Sequence, residues 1–163
     1  YHFMLGPGWK EGCPSCSFWA DTFNGIGIHL QHRDVAMLAI SRAPVDELLA
    51  FRKRMGWSFK WLSSFANEFN HDYGVSFTEE QIKRGDVEYN YGQTSFSHTE
   101  APGISVFHRD SDGAIFHTYS CYARGIDMMN AAYQYLDLVP KGRDEDALPW
   151  PQAWVRCHDS YED

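Results

Sequence analysis

No stretch of this chain is apolar for long enough to cross a membrane as a helix, cysteines are few, and positive charge is in deficit. Each shortage removes a class of function. A spanning helix takes about 20 consecutive apolar residues, and the apolar run at residues 35–40 is among the longest here. Lys and Arg number 14 against 22 Asp and Glu, a formal net charge of −8, so neither nucleic acid nor an anionic membrane is an expected partner. Four cysteines in 163 residues are too sparse for a disulfide-stapled secreted scaffold. They fit a reducing compartment with one working pair, and the cytoplasm is the expected location. No internal repeat is visible, and the histidines after His2 show no spacing typical of a metal-binding helix.

What remains is an ordinary globular composition, 44% hydrophobic and 22% charged, expected to fold as a single domain over residues 1–163. Aromatics reach 16%, with six Trp. Some are expected to line a cleft or an interface, which leaves a homodimer open. The chain starts at Tyr1 inside a strand-like run and without an initiator Met, so a trimmed native N-terminus is expected.

Residues 13–16, Cys-Pro-Ser-Cys, carry the chemistry. An apolar segment (His2 to Leu5) and a glycine-rich loop precede them, and a helical pattern follows. Two thiols at this spacing open and close a disulfide within one turn. Cys13 is expected at the N-cap with Pro14 at the first helical position, where its missing N–H costs nothing. Unpaired N–H groups there favour a thiolate. Cys16, one turn on and facing inward, is suited to resolve a mixed disulfide. The alternative is half of a zinc site, but Cys121 and Cys157 stand alone and supply no second ligand pair. No metal and no cofactor is therefore expected. His2 is a candidate proton acceptor for Cys16, set against a core histidine bonded to backbone.

Along the chain, Trp19, Phe23, Ile26 and Leu30 recur at helical spacing, with Gly25 and Gly27 weakening that helix. Residues 35–40 read as a buried strand, residues 44–55 as a helix, 59–63 as a strand and 65–73 as a short helix stopped by Gly74. Residues 76–100 read as a polar insertion, either a lid or a solvated loop. Residues 104–108 and 114–120 flank Arg109-Asp110-Ser111-Asp112-Gly113, a hairpin signal. Ile126, Met129, Tyr133 and Leu136 mark a last amphipathic helix, and a tail over 141–163 is expected to pack back on the body. The sum is α/β: a central mixed sheet flanked by helices.

The strand before Cys13-Pro14-Ser15-Cys16, the βα unit of residues 35–56, Trp61 to Ser64 with Tyr73-Gly74-Val75, and Ala101-Pro102-Gly103-Ile104 resemble the thioredoxin superfamily in a peroxiredoxin-like layout. More closely, Tyr1-His2-Phe3-Met4, the run from Gly12 to Asp21, and Tyr122-Ala123-Arg124-Gly125 resemble a bacterial thioredoxin-like family of predicted dithiol–disulfide oxidoreductases. The resemblance implies a thioredoxin-like fold and an enzyme in which Cys13 attacks a disulfide and Cys16 resolves it. The partners implied are a protein or small-molecule disulfide and a thiol electron donor. It also implies that Pro102 is cis beside the motif, presenting the backbone of Ala101 to substrate, with Trp9 and Pro14 completing the substrate surface. Peroxiredoxins carry a Thr three residues before the reactive cysteine. Lys10 stands there relative to Cys13, which favours disulfide exchange over peroxidase activity. Thiol peroxidase, and a binding module with structural or zinc-bound cysteines, are the alternatives.

Overall fold

Four backbone hydrogen bonds around His2 join the two halves of the sheet at the protein's centre. In chain order the elements of the computed structural model, which describes residues 1–162, are α1 (Pro14–Ala20), α2 (Ile26–Gln31), β1 (Leu38–Ser41), α3 (Val45–Arg54), β2 (Lys60–Ser63) and α4 (Phe69–Asp72). There follow α5 (Glu79–Arg84), β3 (Val87–Tyr89), β4 (Gly92–Thr94), β5 (Gly103–Arg109), β6 (Ile115–Tyr122), a 3₁₀ helix (Ala123–Met129) and α6 (Ala131–Leu136). β1 and β2 pair in parallel across the α3 crossover, and β5 and β6 pair antiparallel with a register shift at Val106/Phe107. His2 bridges them, parallel to Ile40 and antiparallel to Gly103. The Phe3 N–H donates to Ile40 O at 2.9 Å and the Ile40 N–H to Tyr1 O at 2.9 Å. On the other side the His2 N–H donates to Gly103 O at 2.8 Å, and the Gly103 N–H returns to His2 O at 3.4 Å. The resulting order is β2, β1, the segment around His2, β5, β6: a mixed α/β sheet.

Successive side chains of an extended segment point to opposite faces, and here they divide the core. Phe3 packs edge-on against Trp61 at 4.7 Å and Trp57 at 5.7 Å, with Phe51 of α3 beside them. Tyr1 meets Phe23 at 5.1 Å. On the reverse face the His2 ring stacks on Phe69 and Tyr73. α3 carries Asp46 and Glu47 in its first turn and Arg52, Lys53 and Arg54 in its last, matching charge to the helix dipole. The hairpin turn forms as its sequence predicts: Asp110 Oδ1 accepts from the Asp112 and Ala114 N–H groups, each at 3.2 Å.

Several elements differ from the sequence pattern. The stripe from Trp19 to Leu30 is two helices, because Gly25 adopts φ 87° and ends the continuity; Ile26 and Ile28 are exposed. The strand expected over residues 35–40 is Leu38–Ser41, with Val35 exposed. The last helix is split at Asn130, whose side chain accepts from the Tyr133 N–H and starts α6 afresh. Residues 76–100 are not an irregular loop. Thr78 and Gln81 form a capping box at the start of α5, and Asn90 and Tyr91 turn the β3–β4 hairpin with φ of 54° and 62°. Val75, Phe77, Val87 and Tyr89 give this region its own small core with Ala101 and Tyr122. Among the described residues, no helix is long and apolar enough to cross a membrane.

Pro102 is trans: no peptide bond among the described residues is cis. The chain enters β5 in extended form, with the Ala101 N–H bonded to Val75 O at 2.9 Å and the Pro102 carbonyl accepting from the Tyr89 hydroxyl at 2.7 Å. Pro102 sits where a strand opens and its absent N–H is not needed.

Candidate functional site

The glycine-rich loop brings the motif back onto the central segment. A Cβ on Gly12 would lie 2.6 Å from the Phe3 ring and 2.7 Å from Phe51, so only glycine lets the backbone settle on the core immediately before Cys13. The Cys13 N–H then donates to Met4 O at 3.1 Å. Cys13 is the N-cap of α1 and Pro14 its first residue; the Cys13 carbonyl accepts from the Ser17 N–H at 2.9 Å and the Ser17 hydroxyl at 3.1 Å.

The two thiols occupy different environments. Cys13 is half-buried and Cys16 is 2% exposed. Cys13 is lowered to about 7, chiefly by the neighbouring Cys16 thiol and further by the N–H groups of Cys16 and Ser15 and the Ser15 hydroxyl, with burial opposing them; its side chain forms no capping hydrogen bond at the start of α1. Cys16 is raised well above the usual thiol range, by burial first and then by its neighbour Cys13. One thiol is therefore substantially ionised near neutrality and the other holds its proton.

Around Cys16 the structure places Tyr1, not His2. The buried Tyr1 hydroxyl donates to Cys16 O at 3.4 Å, and it and the Met4 N–H weigh against the burial that raises the Cys16 thiol. His2, one residue on, faces the other side of the segment, where Nε2 meets Ser105 Oγ at 2.8 Å and Nδ1 is buried without a partner. Burial lowers its imidazole to about 3, so it is neutral. His2 is a core histidine, and the structure does not bring it to the dithiol.

Trp9 is half-buried against the core, with its indole N–H edge against Gly6 and His98 tilted over it at 6.0 Å. Ala101 is buried and its N–H is bonded to Val75, so that donor is not presented to a ligand. Pro102 is partly exposed, and its carbonyl partner Tyr89 also accepts from the Ala123 N–H at 2.9 Å. Tyr89 lines a cleft of about 460 Å³ with Tyr73, Tyr91, Tyr122, His71 and His117; neither cysteine of the motif lies in its wall. Cys121 is half-buried in β6, while Cys157 is buried in the tail, its thiol 3.8 Å from the Ser17 hydroxyl. Among the described residues, no three His, Cys, Asp or Glu side chains converge as metal ligands.

Two polar residues here lie outside the sequence expectation. Glu100 is 1% exposed, lies immediately before Ala101-Pro102, and its Cγ would be 3.2 Å from a Cβ on Gly6. Ser76 Oγ donates to its Oε2 at 2.5 Å and Arg42 reaches its Oε1 at 3.4 Å, yet burial dominates and raises the carboxyl to about 7. Gln152, buried in the tail at φ 70°, reaches the Ser15 hydroxyl. No sequence period marks either residue, since one ends a polar stretch and the other sits among Trp and Pro.

Comparison of the sequence with curated proteins and with solved structures finds no match to either. A family model matches residues 1–161, nearly the whole chain, and the protein belongs to that family, described as bacterial protein of unknown function (DUF899).

Proposed function

We propose that this protein is a dithiol–disulfide oxidoreductase with a thioredoxin-like fold, Cys13 being its nucleophile and Cys16 its resolving thiol. The observation that carries the proposal is the divergence of two thiols one helical turn apart: a partly exposed Cys13 lowered to about 7 and a buried Cys16 raised. A depressed, accessible thiolate attacks; a protonated, buried neighbour waits. A mixed sheet whose central segment precedes the motif, joined to it by the glycine-rich loop, supports the fold reading.

The reaction balances as a two-electron exchange. The Cys13 thiolate forms a bond to one sulfur of a substrate disulfide, the substrate S–S bond breaks, and the leaving thiolate takes a proton from solvent. Cys16 then loses its proton and attacks the Cys13 sulfur, releasing the second substrate thiol and closing the Cys13–Cys16 disulfide. The substrate is reduced by two electrons and the dithiol is oxidised; a thiol donor restores it. Tyr1 and the Met4 N–H, which oppose the rise of the Cys16 thiol, favour it as it becomes anionic.

The test is turnover of oxidised glutathione or a disulfide-linked peptide with dithiothreitol as donor. Cys13→Ser is expected to abolish it, and Cys16→Ser to accumulate a mixed disulfide at Cys13, seen as a mass adduct. Undiminished turnover by Cys13→Ser refutes the proposal.

A further inference from the structure

The C-terminal tail reaches the dithiol. Residues beyond 141 pack along α1: Trp154 meets Phe18 edge-on at 5.4 Å, His158 Nδ1 lies 2.7 Å from Asp21, and Arg54 grips Asp159 through Nε at 2.7 Å. Glu145 is the clasp of this segment. Its Oε1 accepts from the Trp154 indole at 2.7 Å and the Gln152 backbone N–H at 3.1 Å, and the Tyr133 hydroxyl, 2.9 Å from it and 2.9 Å from the Gln152 amide oxygen, shares one proton between the two. So held, Gln152 takes a left-handed backbone at φ 70° and points its side chain at α1.

The orientation of that side chain follows from Arg124. A guanidinium has no acceptor, and both its terminal nitrogens lie 3.0 and 3.1 Å from one end of the Gln152 amide, which is therefore the oxygen. The other end, the NH₂, donates to Ser15 Oγ at 3.0 Å. A serine hydroxyl has one proton. With a lone pair taken by Gln152, that proton is available to Cys13, two residues back in the same turn, whose thiol the Ser15 hydroxyl helps to lower. A hydroxyl that accepts one hydrogen bond also donates a stronger one.

We propose that Gln152 is a positioning residue of the dithiol site, directing the Ser15 hydroxyl onto Cys13 through the chain Gln152 NH₂ to Ser15 Oγ to Cys13 Sγ. The C-terminal segment is thereby a structural part of the reactive centre, and Ser15 is more than a spacer between the two cysteines. Arg124, Tyr133 and Glu145 are the titratable groups that face Gln152, and Cys16 and Tyr1 those that face Cys13. The inference rests on the reading of Cys13 as the nucleophile.

The experiment is the pH dependence of Cys13 alkylation by iodoacetamide, followed by mass spectrometry in the full chain. Gln152→Glu keeps the shape and the pairing with Arg124 but turns the donor at Ser15 into an acceptor that draws the hydroxyl proton away. Gln152→Met removes the donor without adding charge. Each is expected to move the Cys13 titration upward, slowing alkylation at pH 6 by about twofold, the equivalent of about 0.3 pKa unit. Ser15→Ala is expected to do the same, and in a Ser15→Ala background neither Gln152 variant shifts the titration further. A shift that persists undiminished in that background, or an unchanged titration in folded Gln152→Met, overturns the proposal. Ser15→Ala decides it alone if the Gln152 variants do not fold: an unchanged titration there refutes it. Should the unmodified protein titrate as an ordinary thiol, the oxidoreductase reading fails; a depressed wild-type value with unresponsive variants removes only the role of Gln152.

Discussion

Replacing Glu100 by Gln is expected to abolish one limb of the protein's pH–stability curve. The carboxyl is raised from 4.5 to about 7, chiefly by burial, despite the Ser76 hydroxyl and Arg42 beside it. In the unfolded chain it ionises near 4.5, so between pH 4.5 and 7 the native state binds more protons than the unfolded state. Stability from this group is complete below pH 4.5 and declines as pH rises through 7. With each pKa unit worth about 1.4 kcal/mol, the loss between pH 5 and pH 8 amounts to about 2 to 3 kcal/mol. The glutamine keeps an acceptor for Ser76 and has no charge to desolvate, so the variant lacks this decline. The assay is urea unfolding of both proteins at pH 5 and pH 8, taking the difference of differences. His2, lowered to about 3 by burial, works in the opposite direction, destabilising as pH falls through the unfolded histidine range, but it is common to both proteins and cancels. Parallel profiles, within about 0.5 kcal/mol, would show that Glu100 is ionised in the fold and refute the reasoning.

The dithiol makes its own prediction. Cys16→Ala removes the neighbouring thiol that contributes most to lowering Cys13, so Cys13 alkylation at pH 7 should slow several-fold while its high-pH limit is unchanged. Gly103→Ala places a Cβ 2.6 Å from the Tyr122 ring, and the overpacking should cost about 1–3 kcal/mol in urea unfolding. Wild-type stability there would mean that β5 and β6 can part without penalty.

Much of the site was legible because it rests on local rules. Pro14 after Cys13 announces a helix start, and the spacing to Cys16 puts both thiols on one turn; neither depends on the rest of the fold. The turn at Asp110 to Gly113 is legible for the same reason. Residues 76–100 were misread because the polar surface of α5 and the shortness of β3 and β4 hide their apolar positions. Thr78-x-x-Gln81 was the available signal, a capping box three residues before a helix has shown any apolar face. The trans Pro102, the displacement of His2 by Tyr1 at Cys16, and the burial of Glu100 and Gln152 all depend on which face a side chain takes once distant segments meet. The period of a strand fixes alternation and leaves open which set faces the motif.

The seam at His2 bears on how the chain is made. The segment that will sit between β1 and β5 is synthesised about 100 residues before Gly103, its antiparallel partner. At about 5–20 residues per second, a ribosome needs roughly 5 to 20 seconds to deliver that partner. Until then Phe3, Met4 and Leu5, all buried in the finished protein, have one neighbour strand at most, and the thiols that will become the dithiol lie open on an unfinished edge. The nascent chain is thus exposed to aggregation and to premature thiol chemistry over the same interval, and both end when β5 arrives.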